Sequence, residues 1–265
     1  MGRSGGTRRS FESLARRRSG TASSLLLLAL ALIPCGARCG PPFQTDDPAV
    51  VAVGHTELLG FYQSSLTATS RTGTLPGLEV HLGPLEGVEL DLITPLTFAT
   101  TSGQGMQRGY GDTTFGVKYL LIRESETSPL LSLVPKLVLP TGNSNRGLGN
   151  GGSQILLAVA AQKAWGDFQT YGNAGYWINN GPLNLNYWFV GWEAQYRFSP
   201  SWILGAEVFH TTAQVAGQPP STGFNVGGVY FLDPRNQLLF SAGRGLQNVS
   251  ATNRVSTYLG YQISF

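Results

Sequence analysis

The chain has 265 residues, which is enough for one large or two small domains. Only 12% of them are Asp, Glu, Lys or Arg, against 35 glycines and 42% hydrophobic residues, so the chain carries too little charge for an ordinary soluble surface. Seven of the 18 basic residues lie in the first 40 positions; from Pro41 onward 11 basic residues stand against 14 acidic ones, and no basic patch indicates a nucleic-acid partner.

Residues 1–40 have the layout of a secretory signal peptide. An arginine-rich stretch precedes the apolar run 25–33, and Pro34 and small residues follow it. The apolar run is too short for a membrane-spanning helix, which needs about 20 such residues. We therefore expect export and removal of this segment. Because Cys35 and Cys39 leave with it, the mature chain offers no disulfide and no cysteine ligand for a metal.

The rest of the chain alternates apolar and polar side chains, the pattern that turns one face of a strand to lipid and the other to water. In the clearest strand, Trp188 and Trp192 share one face, and Glu193 and Arg197 share the other. The pattern predicts twelve strands, near 54–65, 75–82, 87–99, 110–122, 130–140, 153–164, 168–178, 186–198, 202–211, 222–232, 237–246 and 254–265. The sixth departs from it, because its apolar residues do not alternate and Lys163 falls on the outward face.

The connections between these strands alternate in length. The odd-numbered ones are long and rich in Gly, Ser, Thr and Asn, whereas most of the others are short, such as 199–201 and 233–236. Outer-membrane barrels show this alternation and an even strand number. A soluble β-sandwich would have to bury the charged rows dry, which is costly. The sequence thus predicts an all-β fold, a single transmembrane antiparallel β-barrel at 54–265 after a periplasmic N-terminal segment at 41–53.

The charged side chains of the inward rows are the candidate lumen-lining residues. They are Glu89, Asp91, Asp112, Lys118, Lys136, Glu193, Arg197 and Glu207. Such residues can line a solute path and tune its selectivity, or they can form a structural network of mixed-sign pairs. Glu193 and Arg197 lie about 13 Å apart along their strand, so each needs a partner on a neighbouring strand. We predict that Glu207 is the partner of Arg197 across the turn 199–201.

Other motifs give no site of another kind. Residues 147–152 satisfy G-x-G-x-x-G, but they lead into a strand and not into a helix, so we expect an outer loop and no dinucleotide cofactor. Asp46 and Asp47 could bind a cation, but the sequence around them predicts a turn into the barrel. We therefore expect no metal.

A lipid hydrolase of the outer membrane would pair a histidine with a serine nucleophile. The histidines are His55, His81 and His210, and none has a serine two residues further on. His210, followed by two threonines near the outer end of a strand, comes nearest to that arrangement. We expect it to pack at the membrane interface and we expect no catalytic residue.

Short motifs throughout the mature chain resemble those of one bacterial family. They lie at 40–48 (GPPFQTDDP), 54–57, 78–80, 109–112, 116–119, 139–142 and 241–246. On these residues the chain resembles the family of the MetA-pathway of phenol degradation from about residue 40 to 265. The resemblance implies an outer-membrane barrel for the uptake of small compounds, aromatic or hydrophobic ones among them. It implies no particular set of binding residues.

The sequence therefore predicts an outer-membrane channel or transporter for small solutes. The alternatives are a structural or adhesive barrel without transport, and a lipid hydrolase. The expected partners are outer-membrane lipid, a small solute and the barrel-assembly machinery, which would recognise the aromatic last strand ending in Phe265. The expected location is the outer membrane of a bacterium.

Overall fold

The structure is a computed structural model that describes residues 42–265. The predicted signal peptide lies outside the described residues. The strands are β1 (Thr56–Leu66), β2 (Ser70–Leu85), β3 (Val88–Thr101), β4 (Gln107–Tyr110), β5 (Thr113–Ile122), β6 (Leu130–Leu133), β7 (Lys136–Leu139), β8 (Gln154–Trp165), β9 (Phe168–Asn179), β10 (Tyr187–Ser199), β11 (Trp202–Thr211), β12 (Ser221–Phe231), β13 (Asn236–Gln247) and β14 (Val255–Ser264). Within residues 42–265, helical structure is confined to the turns Ser144–Arg146 and α1 (Val249–Thr252). No helix among residues 42–265 is long and apolar enough to cross a membrane.

The strands form one closed antiparallel barrel. β1 pairs with β14 along almost their whole length, so the sheet has no free edge between them. β4 and β5 both pair with β3 and form a single strand that is interrupted between Tyr110 and Thr113. β6 and β7 likewise form one strand between β5 and β8, interrupted at Pro135, which lacks a backbone N–H for the ladder. The barrel therefore has twelve strands, which confirms the predicted fold class and strand number.

The two faces of the wall differ as the alternation predicts. Trp188 and Trp192 on the outer row are 54% and 58% exposed, whereas Glu193 on the inner row is fully buried. In β8 both rows are apolar: Leu157 is exposed on the outer face and Leu156 is buried on the inner face. The strand is regular, and it lacked alternation in the sequence only because its inner face is apolar too.

Lys163 lies at the end of β8 and points to the outer face, where a charge is costly near lipid. Its ammonium group donates to the carbonyl oxygens of Ser125, Glu126 and Ser128 in the neighbouring turn. It also lies 3.7 Å from the carboxylate of Glu124. The long side chain thus carries its charge to the rim of the barrel, as snorkelling side chains do.

The barrel has a terminal end, where Thr56 and Phe265 exchange backbone hydrogen bonds, and an opposite loop end. The terminal end carries the connections 86–87, 123–129, 166–167, 200–201 and 232–235; the loop end carries 67–69, 102–106, 140–153, 180–186, 212–220 and 248–254. The predicted long first connection is wrong, because β2 begins at Ser70. Thr67 closes this turn through hydrogen bonds with the backbone N–H and the hydroxyl of Ser70, at 3.0 and 2.8 Å.

Candidate functional site

Residues 42–51, which we name the inner segment, lie inside the barrel. Their contacts reach five of the twelve strands: Pro42 to Ser241 of β13, Thr45 to Glu207 of β11, Asp46 to Lys136 and Pro48 to Ser132 of the β6–β7 strand, Asp47 to Lys118 of β5 and Val51 to Glu89 of β3. The segment therefore runs around much of the inner wall before it enters β1. The segment predicted at 41–53 thus contacts the inner wall over residues 42–51, and its periplasmic location stays a prediction. Apolar and polar side chains do not alternate in this segment, so the sequence could not predict its position against the inner wall.

The carboxylate of Glu207 anchors the first part of the inner segment. It accepts hydrogen bonds from the backbone N–H groups of Gln44 and Thr45 at 2.8 and 2.9 Å, and from the Thr45 hydroxyl at 2.7 Å. The side-chain amide of Asn225 on β12 donates a further one at 2.5 Å. Four donors thus hold this buried carboxylate, and none of them is charged.

Arg197 is not the partner of Glu207, so that prediction is wrong. In the β10–β11 register Arg197 lies opposite Ile203, whereas Glu207 lies opposite Glu193. The two side chains therefore sit four positions apart along the strands, about 13 Å by the usual rise. The guanidinium of Arg197 lies instead over the ring of Phe231, 5.5 Å from its centroid. Counting residues from the turn 199–201 gives the same separation, so the prediction failed because about 13 Å is beyond the reach of an arginine side chain.

Two lysines of the wall hold the second part of the inner segment. Lys136 binds both carboxylate oxygens of Asp46 at 2.8 Å. Lys118 lies 3.7 Å from Asp47 and 3.3 Å from Glu89, and all three side chains are almost fully buried. The ammonium group of Lys118 also donates to the carbonyl oxygen of Ala49 at 3.3 Å. Asp46 and Asp47, for which the sequence predicted only a turn, thus each form an ion pair with a lysine in the barrel interior.

A buried histidine links the carboxylates of β2 and β3. His81 Nδ1 lies 2.7 Å from Asp91 and 3.3 Å from Glu89, and Nε2 lies 3.5 Å from Glu79. The sequence analysis proposed Glu89 and Asp91 but missed Glu79 and His81. A signal was present, because Leu78 and Leu82 flank these two polar residues and are exposed on the outer face of the same strand.

His81, Glu89 and Asp91 could each offer one donor atom to a cation, since the three atoms lie within 4.8 Å of one another. Hydrogen bonding already accounts for the arrangement. The 2.7 Å separation of His81 and Asp91 is a hydrogen-bond distance, and Lys118 supplies the positive charge beside Glu89. The geometry gives no reason to assign a metal to this cluster.

Glu193 lies directly opposite Glu207 in the register of β10 and β11. It is fully buried, and neither of its carboxylate oxygens has a hydrogen-bond partner among the described residues. Gly205 makes room for it, because a Cβ at that position would lie 2.2 Å from Glu193 Oε1. The wall thus holds two adjacent carboxyl groups with different surroundings. Glu207 accepts four hydrogen bonds, and Glu193 accepts none from the described residues.

The part of the inner wall between these two charged regions is apolar. Val134, Leu156, Ala158 and Ala160 form a buried cluster on β8 and the β6–β7 strand, with Trp177 packed against it. Towards the loop end the rings of Trp177 and Tyr187 stack at 5.9 Å between centroids. The interior therefore combines a charged side with an aromatic and aliphatic one.

Asp112 has a different role from the other predicted lining residues. Its carboxylate accepts hydrogen bonds from the backbone N–H groups of Gly142 and Asn150, at 2.8 and 2.6 Å. Both donors belong to the loop 140–153, which contains the predicted glycine-rich motif. Asp112 therefore fixes the fold of a loop at the loop end of the barrel.

His210, the residue nearest to a hydrolase site, lies 2.8 Å from the hydroxyl of Thr222 through Nδ1. That hydroxyl donates to the side-chain oxygen of Gln247 at 3.0 Å. In a catalytic triad the histidine stands between the nucleophile and its orienting group, and it takes the hydroxyl proton. Here the Thr222 hydroxyl lies between His210 and Gln247, and it donates its proton to the side chain of Gln247. The arrangement therefore does not support a hydrolase.

A closed twelve-stranded barrel with an apolar outer row and a charged inner row has the architecture of an outer-membrane β-barrel. The chain belongs to the family described as "Putative MetA-pathway of phenol degradation", whose sequence profile matches residues 59–265. The predicted family is therefore confirmed. No curated protein matches the chain in sequence.

Solved structures of outer-membrane proteins share this fold. An outer membrane channel described as COG4313, from Pseudomonas putida F1, has a TM-score of 0.70 at 20% identity, over 86% of this chain and 100% of that one. The NanC porin has a TM-score of 0.54 at 10% identity, over 79% and 98% of the two chains. The KdgM porin, solved with disordered oligogalacturonate, has a TM-score of 0.52 at 10% identity, over 78% and 99%. At these identities the similarity shows the fold alone.

Proposed function

We propose that this protein is a channel of the bacterial outer membrane that passes small solutes along a path narrowed by its own inner segment. The observation that carries the proposal is the charged inner row of a closed barrel. Buried charges are costly unless they are paired or hydrated, and Glu193 on this row has no hydrogen-bond partner among the described residues, which favours a hydrated interior. A polar inner row is typical of barrels that hold an aqueous path.

The location and the partners follow from the same wall. The outer row, with its exposed tryptophans, suits outer-membrane lipid, and the exposed Phe265, which directly follows the last strand, suits recognition by the barrel-assembly machinery. The similar structures named above include one described as a channel and two described as porins. Their names support a channel for this chain without identifying its solute.

The apolar side of the interior supports solutes that have an aromatic or aliphatic part. The stacked rings of Trp177 and Tyr187 could contact such a solute on one side while the charged side contacts water and polar groups. This is consistent with the compounds that the family's description suggests. We therefore propose solutes with an aromatic or aliphatic part.

Liposome swelling distinguishes a channel from a structural or adhesive barrel. The mature chain, refolded into liposomes, should let a small neutral sugar enter faster than it enters protein-free liposomes. Heat-modifiable migration on gels would establish that the barrel is folded in the same preparation. A folded, inserted barrel that gives no swelling with small solutes would contradict the proposed function and favour the structural alternative.

A further inference from the structure

Among the described residues, the interior of the barrel holds far more carboxyl groups than cationic side chains. The inner row and the inner segment carry the acids Asp46, Asp47, Glu57, Glu79, Glu89, Asp91, Glu193 and Glu207. Against these eight stand Lys118, Lys136 and Arg197, together with His81. The excess does not depend on Asp112, which holds the loop 140–153.

The two lysines of the interior both pair with acids of the inner segment and of β3. Lys136 binds Asp46, and Lys118 lies between Asp47 and Glu89. On β10 and β11, by contrast, neutral donors hold Glu207, and Glu193 has no hydrogen-bond partner among the described residues. Arg197 is on the same strand as Glu193 but about 13 Å away along it. The negative excess is therefore concentrated around Glu193 and Glu207.

The unpartnered carboxyl of Glu193 is a second observation, independent of the count of charges. A buried carboxylate without a donor is unfavourable unless a cation or a proton accompanies it. Acidic side chains that line a pore concentrate cations and repel anions, because a low-dielectric wall focuses their field. Together with the excess of acids, the unpartnered carboxyl favours a cation over an anion as the companion of this part of the wall.

We propose that the interior selects cations over anions, and that Glu193, with Glu207 beside it, is the main determinant of that selectivity. The preferred solutes are small inorganic or organic cations, such as compounds that carry an amino group. This inference rests on the proposed channel function and adds a substrate class to it.

The test is the reversal potential of the mature chain in a planar lipid bilayer under a potassium chloride gradient. The wild-type chain should give a potential of the sign that indicates preferred passage of potassium. Glu193→Gln should shift the potential towards zero, because it removes a charge from the interior and keeps the size of the side chain. Glu86→Gln is the matched control, since Glu86 lies exposed in the turn 86–87 beside Arg123 and faces no lumen. It should leave the potential unchanged.

The outcomes separate this inference from the channel function. If the inserted, folded chain conducts but prefers chloride, or if Glu193→Gln leaves the potassium preference unchanged, the cation selectivity assigned to Glu193 is overturned and the channel stands. Equal shifts in Glu193→Gln and Glu86→Gln would also overturn it, because an interior site would then have no special effect. Absence of any conductance from a folded barrel contradicts the channel function itself.

Discussion

Trp192 and Glu193 are neighbours in the sequence but lie on opposite sides of the wall. Trp192 is 58% exposed on the outer row, whereas Glu193 is buried on the inner row. A strand turns successive side chains to opposite faces, so the environment of each follows from its parity alone. Substitutions at these two positions therefore test the assignment of the faces.

We predict that Trp188→Arg and Trp192→Arg each block assembly of the barrel, whereas Glu193→Gln does not. An arginine on the lipid face costs about 2–4 kcal/mol near the middle of the bilayer and less near the interfaces. Heat-modifiable migration on gels after refolding into lipid vesicles would measure assembly. The opposite result, with both arginine variants folded and Glu193→Gln unfolded, would mean that the two faces are inverted.

A further prediction concerns Arg197, which contributes one of the few positive charges of the interior. Arg197→Ala should fold, because the side chain makes no ion pair with Glu207 and its interaction with Phe231 contributes only about 0.5–2 kcal/mol. In the planar bilayer it should shift the reversal potential away from zero, opposite to the effect of Glu193→Gln. An inserted variant with the conductance and selectivity of the wild type would show that Arg197 does not face the solute path.

At the scale of single strands, alternation in the sequence predicted what local geometry determines. The twelve strands, the outward tryptophans and the inward glutamates all follow from a period of two residues. The prediction of strands was less clear where packing changed the alternation of apolar and polar side chains. In β8 the inner face packs against Trp177 and is apolar, so two apolar rows hide the alternation of the strand.

Side-chain contacts between distant parts of the chain could not be predicted from the sequence. Arg197 and Glu207 looked like partners across the turn, but they lie four positions apart along the paired strands, which is too far for a direct contact. The adjacent Asp46 and Asp47 gave no sign that they bind Lys136 and Lys118, 90 and 71 positions further along the chain. Only the closed barrel brings these side chains together.

At the scale of the whole molecule, the backbone pairing that closes the barrel is independent of the inner segment. The wall is closed by the pairing of β1 with β14, to which the inner segment contributes nothing. The segment nevertheless satisfies buried groups of the wall, among them the carboxylates of Glu89 and Glu207 and the hydroxyls of Ser132 and Ser241. A wall without the segment should therefore keep its fold but lose stability.

We predict that deletion of residues 42–51 leaves a folded barrel that unfolds at a lower temperature and conducts more than the full mature chain. The stability falls because buried polar groups that lose their partners cost about 1–3 kcal/mol each unless water reaches them. The conductance rises because the segment no longer occupies the interior.

Thermal unfolding by circular dichroism in detergent and single-channel recording in a planar bilayer would measure the two effects. Asp167→Asn, in the exposed turn 166–167 of the terminal end, is a control that should change neither. A deletion variant with unchanged conductance would show that the inner segment does not restrict the path, and an unchanged unfolding temperature would show that it does not stabilise the wall.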